Sequence, residues 1–193
     1  MSSEIRYAVV CSSNMNRSME AHSFLQKKGF NIRSYGTGEK IKIPGSSAKE
    51  PNQYPFGTSY DEIYADLTSK DKALYTKNGM LHIMERNRRI KRGPEKFQET
   101  SHQYDIILTV EEKVYDQVLE DFSVRGSVLE KPVHVINMNV VDNPEDATIG
   151  AFLLCDLVQE LSNSEDLDND IEDIIQEFES KCEREVLHTV LFY

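Results

Sequence analysis

Cysteine is scarce in this chain: Cys11, Cys155 and Cys182 are three residues in 193. They are odd in number and far apart, which excludes a disulfide framework and fits a reducing compartment. No apolar run approaches the ~20 residues needed to cross a bilayer. The start, Met1 to Arg6, carries no secretory pattern, so a soluble intracellular protein is expected. Positive charge is also in short supply. With 22 Lys and Arg against 33 Asp and Glu, the formal charge is −11, which argues against nonspecific nucleic-acid binding as the main role. It does not argue against an anionic ligand, for which only the local field counts. Internal repeats and low-complexity tracts are missing too. What remains is a chain that is 39% apolar, suited to one domain with a sizeable core rather than two small ones.

The most informative feature is Cys11-Ser12-Ser13-Asn14-Met15-Asn16-Arg17-Ser18, which follows the apolar run Tyr7 to Val10 and leads into a helix-like stretch. C-x5-R-S in the order strand, loop, helix is the pattern of a phosphate-holding loop with a built-in nucleophile. A loop wrapped at a helix start aims backbone N–H groups inward, where they bind phosphate oxygens. Arg17 adds a bidentate grip. The Cys11 sulfur sits at the floor, where the same groups favour its ionised, nucleophilic form. Ser18 is suited to hydrogen-bond the sulfur and ease its departure. The loop residues Ser12, Ser13, Asn14, Met15 and Asn16 are the phosphate-binding candidates.

The pattern predicts strand one over Arg6 to Val10, helix one over Ser18 to Lys28 ended by Gly29, and strand two over Asn31 to Tyr35. This βαβ opening carries the loop in its first turn, beyond the carboxyl ends of the strands, where open α/β sheets hold ligands. From about 36 to 104 the chain becomes a loop-rich insertion, with Tyr60, Ile63, Tyr64, Leu67, Leu74 and Tyr75 at helical spacing. Within it Arg86 to Arg92 holds five cations in seven residues, read as a solvated face. A strand at Asp105 to Leu108 follows. Thr109 and Glu112 then read as a capping-box pair for a helix burying Val114, Tyr115, Val118, Leu119 and Phe122. Val133 to Ile136 is the next strand. Ala151, Leu154, Cys155, Val158 and Leu161 mark a helix in which Cys155 is a packed thiol. Glu165 to Glu185 reads as an amphipathic helix with a charged exterior, and the last nine residues as a strand completing the sheet.

A phosphate ester leaves readily when its departing oxygen is protonated, and the thiol-phosphate intermediate then needs a base to activate water. One carboxyl can do both. Asp142 is the candidate, because it follows the Val133 to Ile136 strand at the sheet end facing the loop. Asn143 as N-cap and Pro144 at the first helical position would hold it on a defined turn.

The stretches Val9 to His22, Arg33 to Gly38, Asp105 to Glu112 and Leu187 to Tyr193 resemble the Ssu-type phosphatases, eukaryotic relatives of the low-molecular-weight tyrosine phosphatases, and the resemblance spans essentially the whole chain. It implies a three-layer α/β fold with a mostly parallel five-stranded sheet, and a single phosphatase domain over 1–193 whose 36–104 insertion supplies the substrate groove. It implies a phosphoserine-proline substrate at the fifth heptad position of the RNA polymerase II carboxy-terminal tail, taken with the prolyl bond in cis. The proline groove falls on Lys42, Ile43, Pro44 and Met84, and the acid on Asp142. No cofactor or metal, no direct nucleic acid and no membrane is expected; a symplekin-like scaffold, pre-mRNA 3′-end processing and the nucleus are. Asn139 departs from the pattern, since relatives usually carry aspartate three positions before the acid. Losing that negative charge predicts a more acidic activity optimum, or a weakly active paralogue serving mainly as a 3′-processing interaction module. An arsenate reductase would need relay cysteines beyond Cys155 and Cys182, which sit on core helical faces. A broad tyrosine phosphatase is a further alternative.

Overall fold

The computed structural model describes residues 4–193; Met1 to Ser3, part of the stretch read for a secretory signal, lie outside the described residues. β1 (Arg6–Cys11) runs between β2 (Asn31–Gly36) and β5 (Ile106–Thr109), parallel to both. β6 (Pro132–Met138) extends the sheet in parallel, and β7 (Val186–Phe192) closes its edge antiparallel. The order β2-β1-β5-β6-β7 reverses direction at β1, which makes its carboxyl end a topological switch point. The loop 11–18 leaves from there.

Alternation along β1 sends Tyr7, Val9 and Cys11 to one face and Ala8 and Val10 to the other. The first face is covered by α1 (Arg17–Lys27), α5 (Pro144–Asn163) and α6 (Leu167–Cys182), through Leu25, Leu154, Val158, Ile171, Ile175 and Phe178. The second is covered by α4 (Glu112–Arg125), through Val114, Tyr115, Val118 and Phe122. The result is the three-layer, mostly parallel sheet expected. Cys155 packs in the first layer, where burial pushes its thiol pKa up. Cys182 is half-buried at the edge of the same layer.

The insertion has more regular structure than its prolines and glycines suggest. β3 (Ile41–Ser47) and β4 (Glu50–Tyr54) form a separate antiparallel hairpin, followed by α2 (Tyr60–Lys77), α3 (Met80–Arg88) and a 3-10 turn at Phe97–Glu99. The hairpin is irregular between Ile43 and Ser47, and a Cβ on Gly45 would fall 1.8 Å from the Glu50 carbonyl oxygen. Glycine there permits the close backbone approach. α2 starts in a full capping box, with Ser59 Oγ accepting from the Glu62 N–H and Glu62 accepting from the Ser59 N–H. A third core joins Ile41, Ile43, Tyr60, Ile63, Leu67 and Met84 to Met15 and Met19 of the loop and α1.

Two local expectations need correction. Thr109 does not cap α4: its hydroxyl donates to Asn137 Oδ1 at 2.8 Å, because Thr109 is still in β5. The cap comes from Asn139, whose Oδ1 accepts the Glu112 N–H at 2.9 Å. The basic run is also only partly solvated. Arg88, Arg89 and Arg92 are exposed, but Arg86 pairs with Glu20, Asn87 is buried, and Lys91 donates to the Ser34 carbonyl at 2.7 Å. The run crosses from a helix end into the body of the protein, so its charges divide between water and structure.

Candidate active site

The loop after β1 curls around the Cys11 sulfur. Ser18 Oγ lies 2.9 Å from Sγ, and the Asn14 N–H donates to Sγ at 3.2 Å. Asn14 is fully buried with φ +54°, the left-handed conformation that asparagine tolerates better than most residues. Its side chain donates to Ser18 Oγ at 2.9 Å and accepts the Glu95 N–H at 3.0 Å, so the serine that faces the sulfur is itself held. Among the described residues, the N–H groups of Ser12, Ser13, Met15 and Asn16 bond to no protein acceptor. These donors lie at the start of α1, which is the arrangement that binds a phosphate. Ser13 Oγ joins the loop to the hairpin, accepting the Lys42 N–H at 3.0 Å.

Close packing from β2 shapes the loop further. A Cβ on Gly36 would sit 2.6 Å from the Ser12 carbonyl oxygen and 3.0 Å from the Asn14 nitrogen, both backbone atoms. Gly36→Ala is therefore expected to cost about 1–3 kcal/mol and to weaken vanadate binding, read by thermal melting and inhibitor titration. His22, behind the loop, faces Ser34 Oγ at 2.7 Å; burial, then the Lys91 charge, pulls its pKa down to about 4, so it is a neutral anchor.

Arg17 is nearly buried, and each Nη is anchored by one protein acceptor while further N–H donors stay free for a ligand. One Nη donates to the Val140 carbonyl at 2.9 Å, the other to Glu111 at 2.8 Å, and Nε lies 3.7 Å from Asp142 Oδ1. Burial opposes its charge, but Cys11, Asp142 and Glu111 outweigh burial and leave its pKa raised. Asp142 is well exposed and also receives Asn16 Nδ2 at 3.0 Å. Asn143 caps α5 by accepting the Asp146 N–H at 2.8 Å, with Pro144 next, so the turn that holds Asp142 is the one its sequence predicts.

A groove of about 240 Å³ contains Cys11, Arg17 and Asp142, with Lys42, Ile43 and Pro44 on the hairpin side. Ser13, Met15 and Asn16 line it as well, whereas Asn14 stays behind the loop wall. Ser12 lies in a wider neighbouring depression beside Glu111 and Lys113. Met84 does not reach the groove. It is fully buried in the third core, and α3 presents Met80 and Ile83 instead, one helical turn apart on the groove side. Glu111, Met80 and Ile83 were not singled out from sequence. The apolar pair could have been found from helical spacing, but Glu111 carries no pattern that distinguishes it from its neighbour Glu112.

Asn139 lines the depression that also contains Asp142, and its amide oxygen is shared between the Glu112 N–H and Asn137 Nδ2. Asn139→Ala is expected to cost about 1 kcal/mol by removing the α4 cap. Asn139→Asp keeps the acceptor and adds a negative charge, which disfavours a second carboxylate nearby. The expected result is an activity optimum moved to higher pH; an unmoved pH–rate profile would remove the coupling between these two positions.

The family model described as Ssu72-like protein matches residues 5–193. The human RNA polymerase II C-terminal domain phosphatase SSU72 is 55% identical over 192 residues, which covers 100% of this chain and 99% of that one. A solved structure of Drosophila melanogaster Ssu72 with symplekin and a cis peptidomimetic CTD peptide, phosphorylated on the fifth-position serine, superposes with a TM-score of 0.96. It is 58% identical and covers 98% of this chain and 99% of that chain. Another Ssu72 structure, described with RNA polymerase II C-terminal-domain modifications that tune its phosphatase activity, gives 0.97 at 58% identity with the same coverage.

Proposed function

Because the chain belongs to the Ssu72-like protein family, we propose that it is a cysteine-based phosphatase of the RNA polymerase II carboxy-terminal tail, removing phosphate from the serine at the fifth heptad position. The observation that carries this reading is the meeting of Cys11, Arg17 and Asp142 in one groove, although Asp142 is 126 positions from Asn16, its hydrogen-bond partner.

Cys11 Sγ attacks phosphorus in line, the bond to the serine oxygen breaks, and Asp142 gives that oxygen its proton. Arg17 and the free N–H groups of the loop hold the three equatorial oxygens while charge builds on them. Water then attacks phosphorus, Asp142 accepts its proton, and the sulfur departs with Ser18 Oγ as hydrogen-bond partner. The chain acts as one unit over 1–193, with the 36–104 insertion forming the groove wall. Lys42, Ile43, Pro44, Met80 and Ile83 line that wall and would offer the proline after the phosphoserine a largely apolar surface. By the same kinship we assign the protein to the nucleus, on a symplekin-like scaffold, acting in transcription and pre-mRNA 3′-end processing.

The test is phosphate release from heptad peptides phosphorylated at the fifth or the second residue, with and without a prolyl isomerase. Preference for the fifth position and acceleration by the isomerase are expected, since cis is a minority isomer that reforms slowly. Equal release from both peptides would replace this reading with a loose phosphatase.

A further inference from the structure

A loop that grips an anion through its N–H groups must turn its carbonyl oxygens the other way, because each planar peptide carries its C=O and the next N–H on opposite edges. Buried carbonyls turned away from the ligand need donors behind them. In this chain four loop carbonyls are received from behind, all by the segment between β2 and β5. The Thr37 N–H donates to the Cys11 carbonyl at 3.0 Å and the Gly38 N–H to the Ser12 carbonyl at 2.9 Å. The next two donors are side chains. The Tyr60 hydroxyl donates to the Asn14 carbonyl at 2.7 Å, and Asn87 Nδ2 to the Met15 carbonyl at 2.7 Å.

We propose that Tyr60 and Asn87 are positioning residues for phosphoryl transfer: by anchoring the Asn14 and Met15 carbonyls outward, they aim the N–H groups of Met15 and Asn16 at the phosphate. The proposal rests on the phosphatase reading above and gives the insertion a second role. Besides forming the groove wall, it is the outer mould of the phosphate loop.

Burial makes both contacts strict. Tyr60 and Asn87 are fully buried, so neither donor can exchange its partner for water. Burial, followed by the negative charges of Cys11 and Glu95, holds the Tyr60 phenol well above its ordinary pKa, which keeps it a donor at every working pH. Asn87 is oriented in turn: its Oδ1 accepts Arg86 Nε at 3.0 Å, and Arg86 pairs with Glu20 on α1. Arg86 also donates to the Met15 carbonyl at 3.3 Å, as a longer second donor to the same oxygen.

The test uses Tyr60→Phe, which deletes one oxygen, and Asn87→Asp, which keeps the shape and the Arg86 contact but loses the donor. Ile63→Val, on the same helix and in the same core, serves as the control for a general loss of packing. Vanadate affinity, kcat, KM and melting temperature are measured for each. Each of these two variants is expected to bind vanadate about tenfold more weakly and to lose kcat to a similar degree. KM should change little, and the control should match wild type in vanadate affinity whatever its melting temperature. Vanadate-induced shifts of the Met15 and Asn16 amide resonances should shrink in the two variants. Wild-type vanadate affinity in folded Tyr60→Phe and Asn87→Asp would overturn the positioning role while leaving the phosphatase reading intact. Loss of affinity in step with melting temperature, in control and variants alike, would also overturn it. A wild-type protein that neither binds vanadate nor releases phosphate would overturn both.

Discussion

Cys11→Ser is expected to lower turnover on a heptad phosphopeptide by on the order of 10⁴-fold or more, while the peptide still binds. A serine hydroxyl is a far weaker nucleophile than a cysteine sulfur near neutral pH, and here the sulfur sits at the floor of the loop, 3.2 Å from the Asn14 nitrogen that donates to it. Binding survives because the donors that hold phosphate belong to the backbone of the loop and to Arg17. Steady-state phosphate release and calorimetric titration with the peptide separate the two properties. Retention of more than about one hundredth of wild-type turnover, against the loss expected of a nucleophile, would place the nucleophile elsewhere. Iodoacetamide gives an independent reading. Alkylation of the wild type near neutrality should be rapid and blocked by vanadate, because both reagents compete for the same sulfur. Rescue of a cellular phenotype by Cys11→Ser would instead favour the docking module.

Asp142→Asn is expected to reduce kcat on phosphoserine peptide by about 10²–10⁴-fold, with a much smaller loss on an aryl phosphate. An alkoxide is a poor leaving group and needs the proton; a nitrophenolate departs without one. The substitution leaves an amide oxygen that can still accept Asn16 Nδ2, and the α5 cap by Asn143 is untouched, so the turn keeps its geometry. Comparing kcat for the two substrates isolates proton donation from simple positioning. Equal losses on both would show that Asp142 acts by holding Arg17 and Asn16 rather than as the acid.

Much of the fold follows from local pattern. The loop 11–18 joins a strand buried on both faces to a helix, as its spacing predicts, and Asn143-Pro144 opens α5. The terminal strand and the amphipathic α6 follow from alternation and from the 3.6-residue period, which act within a few neighbouring residues. The hairpin was hidden because Pro44, Gly45 and Pro51 read as punctuation, while its pairing depends on residues on the opposite strand. Thr109 looked like a cap because a cap is recognised by spacing, but Thr109 was already committed to the sheet, and the real cap arrived from the end of β6. Met84 was placed in the groove by resemblance alone, and the packing of α3 turns it into the third core while Met80 and Ile83 meet the groove.

The same division runs through the site. By itself the sequence picked out the proposed nucleophile, its serine partner, the loop around it and the capped turn that carries the proposed acid, because each is encoded within a few consecutive residues. Only the tertiary structure decided that Glu111 and Val140 hold Arg17, that Met80 and Ile83 face the groove, and that Tyr60 and Asn87 close over the back of the loop. Buried carbonyls must find donors wherever the chain can bring them, and a tyrosine at helical spacing reads as core until its hydroxyl has somewhere to point.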